Sequence, residues 1–403
     1  MANTFKTIPI VSSFIQEQHF ADGNIVDGLN RKKIRPNLED FQSPYKIFSH
    51  LDRVNELKES GDTYPIHMTI GLTNHCNHKC TWCYINWNQA GALAKRSGAD
   101  GINSKKAINA SDKILEAVAE AKDMGLKAIT IVGDGEPTLH PKFVEYLKRL
   151  KKLNIDIGIF TNMSTNKEEV LHALLENCFF IRCSVDAATE ETHRIQHGVD
   201  DFKIVIKNIK SIVSLKNRVL PIIGIQFVVN QRNFKEISAA ARFYKELGVN
   251  YITFKPAYKN ALNTAHEENM ANLELVINEL REAKSYESND FSVYIKEPQF
   301  LESMSFKFNG GRYYSKCYAT PLSPYLDEDG SLEMCGNLKG RGFTMGNINE
   351  LSLKEIWKSN RRQECINSID LNKCPSGCKL DPLNKVLWDA FHPNQLEFHP
   401  NFV

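Results

Sequence analysis

Three cysteines, Cys76, Cys80 and Cys83, stand within eight residues in the spacing C-x3-C-x2-C. Three thiolates this close cannot all point outward from a strand or a helix, so the segment reads as a loop folded around something. Soft thiolates select zinc, copper(I) or an iron–sulfur cluster. Zinc takes four protein ligands, or three and a water, and His75 or His78 could complete such a set. A cubane cluster held by three cysteines leaves one iron open to an outside ligand. Spacing alone does not choose between them. Five more cysteines gather toward the other end of the chain, at Cys317, Cys335, Cys365, Cys374 and Cys378. A disulfide framework belongs to small secreted domains, so metal ligation is the better reading for all eight. Cys178 and Cys183 lie in an apolar run and read as core.

The elements that must position these groups follow a strand–helix rhythm from residue 66. Strands are predicted at 67–72, 128–132, 155–160, 179–185, 222–229 and 250–254, with helices at 107–124, 141–153, 167–175, 202–214 and 234–247 between them. Six strands alternating with helices call for a parallel sheet, either doubly wound or closing into a barrel. Ahead of it, residues 47–59 have the apolar spacing of an amphipathic helix, ended by Gly61. After it come a predicted helix at 270–283 and a hairpin at 306–314, then a second hairpin turning at Asp329-Gly330. The organisation predicted is an N-terminal extension packing on the core (1–65), a barrel (66–256), a bridge (257–316) and a small cysteine-bearing domain (317–403).

With Trp82 as the aromatic residue before its last cysteine, the first motif resembles the signature of the radical S-adenosylmethionine (radical SAM) superfamily. Gly133-Asp134-Gly135-Glu136-Pro137 is similar to that family's Gly-Gly-Glu-Pro segment and lies fifty residues beyond Cys83, with an aspartate between the glycines. The resemblance covers residues 66–256. It implies an α/β fold, a partial (β/α)6 TIM-like barrel whose cluster loop follows the first strand, with a small α+β C-terminal cluster-binding domain. It implies further that Cys76, Cys80 and Cys83 hold a catalytic [4Fe-4S] cluster whose open iron chelates S-adenosylmethionine. An electron from a flavodoxin- or ferredoxin-type donor would then release a 5′-deoxyadenosyl radical. The cofactor-binding residues it suggests are Gly133, Gly135, Glu136 (organising the backbone or the methionine ammonium), Asn162, Arg182, Ser184 and Asp186. Gln226 and Lys255 are assigned to the far side of the barrel, and Trp82 to packing over the adenine or shielding the cluster. His193 and His197 read as ordinary helix surface.

The C-terminal cysteines resemble the auxiliary-cluster extensions of the same superfamily, called SPASM or twitch. Cys317, Gly330 and Cys335 match C-x12-G-x4-C, and Cys365, Cys374 and Cys378 fit three places of C-x2-C-x5-C-x3-C, where Ser368 takes the second. No cysteine follows Cys378, so five thiolates cannot make two four-cysteine clusters. One auxiliary [4Fe-4S] cluster is expected, on Cys317, Cys335, Cys374 and Cys378, with Cys365 a substitute or a spare thiol. Four-cysteine zinc stays open.

The 403 residues are 42% hydrophobic and 24% charged, and 50 Lys+Arg against 48 Asp+Glu leave +2. No global field steers such a chain to nucleic acid, and no apolar stretch of eighteen residues calls for a membrane. The first residues lack a secretion signal, which implies a cytoplasmic protein. The substrate expected is a small polar metabolite such as an amino sugar, cyclitol or nucleoside, leading to oxidation, epimerisation or dehydration. That expectation rests on a short N-terminal extension and no evident peptide-binding domain. The alternatives are a ribosomally made peptide, crosslinked, epimerised or given a thioether, and a non-catalytic metal-stabilised binding protein.

Overall fold

The computed structural model describes residues 43–83, 112–216, 220–257, 273–297, 299–300, 312–374 and 378–393, all within the compact unit Leu38–Val403. Helix α1 (Leu51–Ser60) turns Val54 and Leu57 inward. These join Ile47, Leu322 and Leu387 in a small core of their own, so the N-terminal segment packs against the C-terminal one. Buried Arg362 reinforces that join through a two-pronged ion pair with Asp62.

The barrel then proceeds by alternation: β1 (His67–Ile70), α2 (Lys113–Asp123), β2 (Ala128–Ile131), α3 (Phe143–Lys152), β3 (Asp156–Thr161), α4 (Glu168–Asn177) and β4 (Phe180–Ser184). Next come α5 (Glu190–His197), α6 (Phe202–Leu215), β5 (Ile222–Val229), α7 (Ile237–Glu246), β6 (Tyr251–Pro256), α8 (Leu273–Lys284) and β7 (Ser292–Ile295). Strands β1 to β7 are parallel and hydrogen-bonded in chain order. Successive side chains of a strand face opposite ways. Ile159, Ile181 and Ile223 therefore line up across β3, β4 and β5, fully buried with helix residues such as Leu147 and Ile209. The other face carries Thr130, Arg182, Ser184, Gln226, Thr253 and Lys255, the polar residues that a ligand would meet.

Strand β8 (Tyr325–Leu326) lies parallel to β1, and β9 (Ser331–Glu333) and β10 (Thr344–Asn347) continue antiparallel from it. The cysteine-bearing segment thus extends the barrel's own sheet, in the order β10-β9-β8-β1-β2-β3-β4-β5-β6-β7. A Ser352–Glu355 capping box opens α9 (Leu353–Trp357), followed by α10 (Asn360–Asn367) and α11 (Asp381–Phe391).

The partial barrel agrees with the expectation from sequence, with differences of detail. A seventh parallel strand, β7, continues the sheet inside the segment read as a bridge. Its four residues, half of them polar, carry too short a pattern to stand out. Helix α5, only about two turns long, carries His193 and His197, where a helix surface was expected. The hairpin predicted at 306–314 falls mostly, and the starts of the helices predicted at 107–124 and 270–283 wholly, outside the described residues.

Candidate active site and auxiliary metal centre

The Cys76–Cys83 loop leaves the C-terminal end of β1 and is held from two sides. On one side is the Gly133–Pro137 turn after β2. Gly135 N–H donates to Thr73 O (3.0 Å) and Glu136 N–H to His75 O (2.9 Å). The turn lies so close that a Cβ built on Gly135 would sit 2.2 Å from His75 O and 2.6 Å from Asn74 C. Glu136 is buried and its carboxylate is fully engaged. Oε1 accepts from Thr138 N, Thr138 Oγ1 and Thr161 Oγ1, and Oε2 from Asn162 N at 2.7 Å. The carboxylate thus ties the ends of β2 and β3 together, the backbone-organising part of the role expected for it. Asn162 Nδ2 in turn donates to Asn77 Oδ1 (2.8 Å), reaching the loop itself.

On the other side is the C-terminus of α5. Lys79 N–H donates to His197 O (2.8 Å) and Thr81 N–H to Gln196 O (3.0 Å), so the loop uses carbonyls that a helix end leaves open. Gly198 ends the helix at φ +66°, where a Cβ would press on Lys79 O. His193 and His197, read as helix surface, are buried instead. His197 Nδ1 lies 3.3 Å from Cys80 Sγ and 3.2 Å from His78 Nδ1, while its Nε2 donates to Val185 O at 2.6 Å. His78 Nε2 (2.9 Å) and His193 Nε2 (2.8 Å) both reach Asp201, as does Ser164 Oγ. Burial alone would raise the Asp201 carboxyl, but the hydrogen bonds from His193, His78 and Ser164 outweigh it and hold it below the usual carboxylate range. No local signal marks this network, because its members come from four separate segments.

Arg182, Ser184 and Gln226 share the inner face, with Ser184 opposite Gln226 and Arg182 opposite Gly224. The ring of Trp82 stands edge-on to His197, 6.5 Å between centroids. Asp186 is fully buried at φ +54°, its Oδ1 accepting from Val228 N (2.5 Å) and its Oδ2 lying 3.4 Å from His197 Nε2. Burial pushes its carboxyl up to about 7, against the Val228 N–H and the Lys255 charge. This folded value exceeds the unfolded one of about 3.9. The folded chain therefore keeps a proton that the unfolded chain gives up, and stability falls as pH rises from about 4 to about 7. Asp186→Asn removes this titration. Its stability is expected to gain on the parent's as pH rises through that window, by up to about 1.4 kcal/mol per pH unit, read as a widening difference in melting temperature. Parallel melting curves at every pH would contradict this.

Asp134, the residue between the two glycines, turns toward the C-terminal domain. Lys339 Nζ bridges it to Asp327, with 2.6 Å to Asp134 Oδ2 and 2.7 Å to Asp327 Oδ1. The turn beside the first cysteine loop is thereby tied to the hairpin that leads to Cys335.

In that domain Cys317 is an electrostatic neighbour of Cys335, Cys374 and Cys378, and Cys378 also of Cys335 and Cys374. Asn337 Nδ2 and Leu380 N–H donate to Cys378 Sγ, and Asn384 Nδ2 donates to Cys317 Sγ, each at 3.4 Å. Buried Asn384 also accepts from Tyr318 N and Ala319 N, which fixes the Cys317 segment. Cys365 stands apart. It is fully buried, its Sγ faces Thr344 O at 3.8 Å, and its charged neighbours are Arg361, Glu333 and Glu364.

The donor sets fit clusters better than single ions. Among the described residues, neither cysteine set gathers three sulfurs within 4.8 Å of one another. A tetrahedral zinc with bonds of about 2.3 Å would hold its sulfurs about 3.8 Å apart. A cubane spreads its ligands over separate corners and needs the wider spacing. Burial pushes the free Cys76 thiol up to about 12, so ligation has to displace its proton. The His78–Cys80–His197 group is compact enough for one ion but includes one cysteine of the three, and its histidines are already engaged.

Comparison with known proteins agrees with this geometry. Residues 70–244 match the radical SAM superfamily, and residues 317–379 match the iron–sulfur cluster-binding domain called SPASM. Over 313 residues the chain is 25% identical to the tungsten-containing aldehyde ferredoxin oxidoreductase cofactor-modifying protein of Pyrococcus furiosus, covering 73% of this chain and 81% of that one. It is 32% identical over 186 residues to a probable GTP 3′,8-cyclase of Saccharolobus islandicus, 46% of this chain, and spans about half (54%) of that relative's length. Among solved structures, Streptococcus suis SuiB bound to its precursor peptide SuiA superposes with a TM-score of 0.60 at 18% identity, over 89% of this chain and 80% of that one. At that identity the likeness is one of fold. Among the described residues no helix is long and apolar enough to cross a membrane.

Proposed function

The chain belongs to the radical SAM superfamily and carries a C-terminal SPASM-type domain, and from that premise we propose that it modifies a ribosomally made peptide by radical chemistry. It is an enzyme that binds S-adenosylmethionine and two [4Fe-4S] clusters. Bound at the first cluster, S-adenosylmethionine would supply radical chemistry directed at a substrate C–H bond. Everything else falls to the chain's own residues. Cys76, Cys80 and Cys83 hold the first cluster at the barrel mouth, on a loop fixed between the Gly133–Pro137 turn and the end of α5. Glu136 and Asn162 keep that loop in place, and Arg182, Ser184 and Gln226 line the face where cofactor and substrate meet. Such placement decides which carbon is attacked. Cys317, Cys335, Cys374 and Cys378 hold the second cluster. Ligation by four thiolates leaves it no open iron, which suits electron transfer or structure rather than substrate chelation. A flavodoxin- or ferredoxin-type partner delivers the electron.

The observation that carries the peptide reading is the extent of shared architecture. Barrel and cluster domain together superpose on a peptide-bound enzyme over 89% of this chain. The second reading, a small polar metabolite such as a nucleoside, draws on the higher identity to the probable GTP 3′,8-cyclase. Short precursor genes adjoining this one would supply candidate peptides. Under anaerobic reducing conditions, mass spectrometry is expected to show such a peptide altered at one residue with 5′-deoxyadenosine formed. Turnover of a nucleoside, with every neighbouring peptide left intact, would replace the first reading by the second.

A further inference from the structure

One short stretch of the C-terminal domain, residues 335–341, is tied toward both metal centres. It begins at Cys335, a thiol of the second cluster's set. Asn337 Nδ2 donates to Cys378 Sγ at 3.4 Å, and Arg341 Nη1 donates to Lys373 O, the carbonyl before Cys374, at 3.1 Å. Two turns close the stretch on itself, Leu338 N–H donating to Cys335 O and Arg341 N–H to Leu338 O, each at 3.1 Å. Lys339 stands between these anchors and reaches Asp134 instead, in the Gly133–Pro137 turn beside the first cluster loop.

The surroundings of the Lys339 ammonium give that reach its weight. Nζ lies 2.6 Å from Asp134 Oδ2, 2.6 Å from Asp327 Oδ2 and 3.8 Å from Glu328 Oε1. Oxygens of the three carboxylates stand within 4.8 Å of one another. Asp327 and Glu328 are buried, and Glu328 Oε2 has no hydrogen-bond partner among the described residues. Burial pushes both of these carboxyls up, and the Lys339 charge works against it. The ammonium also sits 5.5 Å from the centroid of the Tyr325 ring, on the strand that pairs with β1. Taking one partner out of a buried ion pair strands the charge that is left. Here it would leave Asp134 facing two buried acids across the domain junction. Asp134 lies between Gly133 and Gly135, so a push on it moves the turn whose N–H groups at Gly135 and Glu136 hold Thr73 O and His75 O, just ahead of Cys76.

We propose that Lys339 is a positioning residue for S-adenosylmethionine binding, through which a filled auxiliary cluster site sets the Gly133–Pro137 turn. The inference rests on the reading that this turn and the first cysteine loop seat the cofactor. Ligation of Cys335, Cys374 and Cys378 fixes the points on which Asn337 and Arg341 rest, and so fixes Lys339 between them. A coupling of this kind is reciprocal, and occupancy of either site favours the other by the same factor.

The test compares the parent with Lys339→Met and Lys339→Arg, each as the full chain reconstituted anaerobically with iron and sulfide. In calorimetric titration, S-adenosylmethionine is expected to bind at least about tenfold more weakly to Lys339→Met. Lys339→Arg, whose fork can span two carboxylates, is expected to stay within about threefold of the parent. Hydrogen exchange read by mass spectrometry is expected to be at least about tenfold faster over residues 133–137 in Lys339→Met, before any S-adenosylmethionine is added. Asp134→Asn loosens the same tie without stranding an acid, and is expected to shift both readouts in the same direction. Loss of the auxiliary cluster in Cys378→Ser should weaken cofactor binding on its own and, combined with Lys339→Met, add less than about twofold to that variant's loss. Two results would overturn the coupling: affinity and exchange unchanged in both Lys339→Met and Asp134→Asn, or effects of Lys339→Met and Cys378→Ser that simply add. A parent chain that binds no S-adenosylmethionine would count against the radical reading instead, and the exchange difference would still decide whether Lys339 sets the turn.

Discussion

Gly135→Ala is expected to abolish S-adenosylmethionine cleavage while leaving the auxiliary cluster in place. The new methyl group would stand 2.2 Å from His75 O and 2.6 Å from Asn74 C, and neither is the end of a flexible side chain. Relief requires the Gly133–Pro137 turn to withdraw from the loop. That breaks the hydrogen bonds from Gly135 N to Thr73 O and from Glu136 N to His75 O, immediately before Cys76. Overpacking of this kind costs about 1–3 kcal/mol even where neighbours can give, and here the neighbour is the loop carrying three cluster ligands. Misplacing a reacting group by about 1 Å costs on the order of a hundredfold in rate. Iron analysis is expected to show the loss of one cluster, and chromatography no 5′-deoxyadenosine. Parent-level cleavage by this variant would mean that the turn does not position the loop.

The second large effect separates the five C-terminal cysteines. Cys378→Ser is expected to lose the auxiliary cluster and, with it, the resistance of residues 317–393 to proteolysis, because metal-binding free energy in a small domain is folding free energy. Cys365→Ser is expected to keep both clusters, at a cost of about 1 kcal/mol for altered packing. The physical difference is environment. Cys378 receives N–H bonds from Asn337 and Leu380 and faces the other thiols, whereas Cys365 faces a backbone carbonyl among core residues. Cluster loss in Cys365→Ser with retention in Cys378→Ser would reverse the assignment.

What was legible in the sequence was what the covalent chain itself specifies. C-x3-C-x2-C, the Gly133–Pro137 segment and the alternation of strands and helices all lie within short windows, and they gave the barrel and the position of its mouth. The preference for Cys374 and Cys378 over Cys365 was also already there, and the structure adds the reason that Cys365 faces Thr344 O. Two things were not legible, each because it depends on residues distant in the chain. The His78–His197–Asp201 network joins residues 119 and 123 positions apart, so no periodicity announces it. Asp134 read as a departure from a motif and is, in the fold, the partner of Lys339, 205 residues away.

The measurement that bears most directly on the whole account is anaerobic incubation of the reduced, iron-loaded chain with S-adenosylmethionine, read by chromatography for 5′-deoxyadenosine beside a Cys80→Ala control. The expected result is 5′-deoxyadenosine and methionine from the parent protein and none from the control. Zinc in place of iron at the Cys76–Cys83 loop, or S-adenosylmethionine recovered intact from the reduced parent, would contradict it.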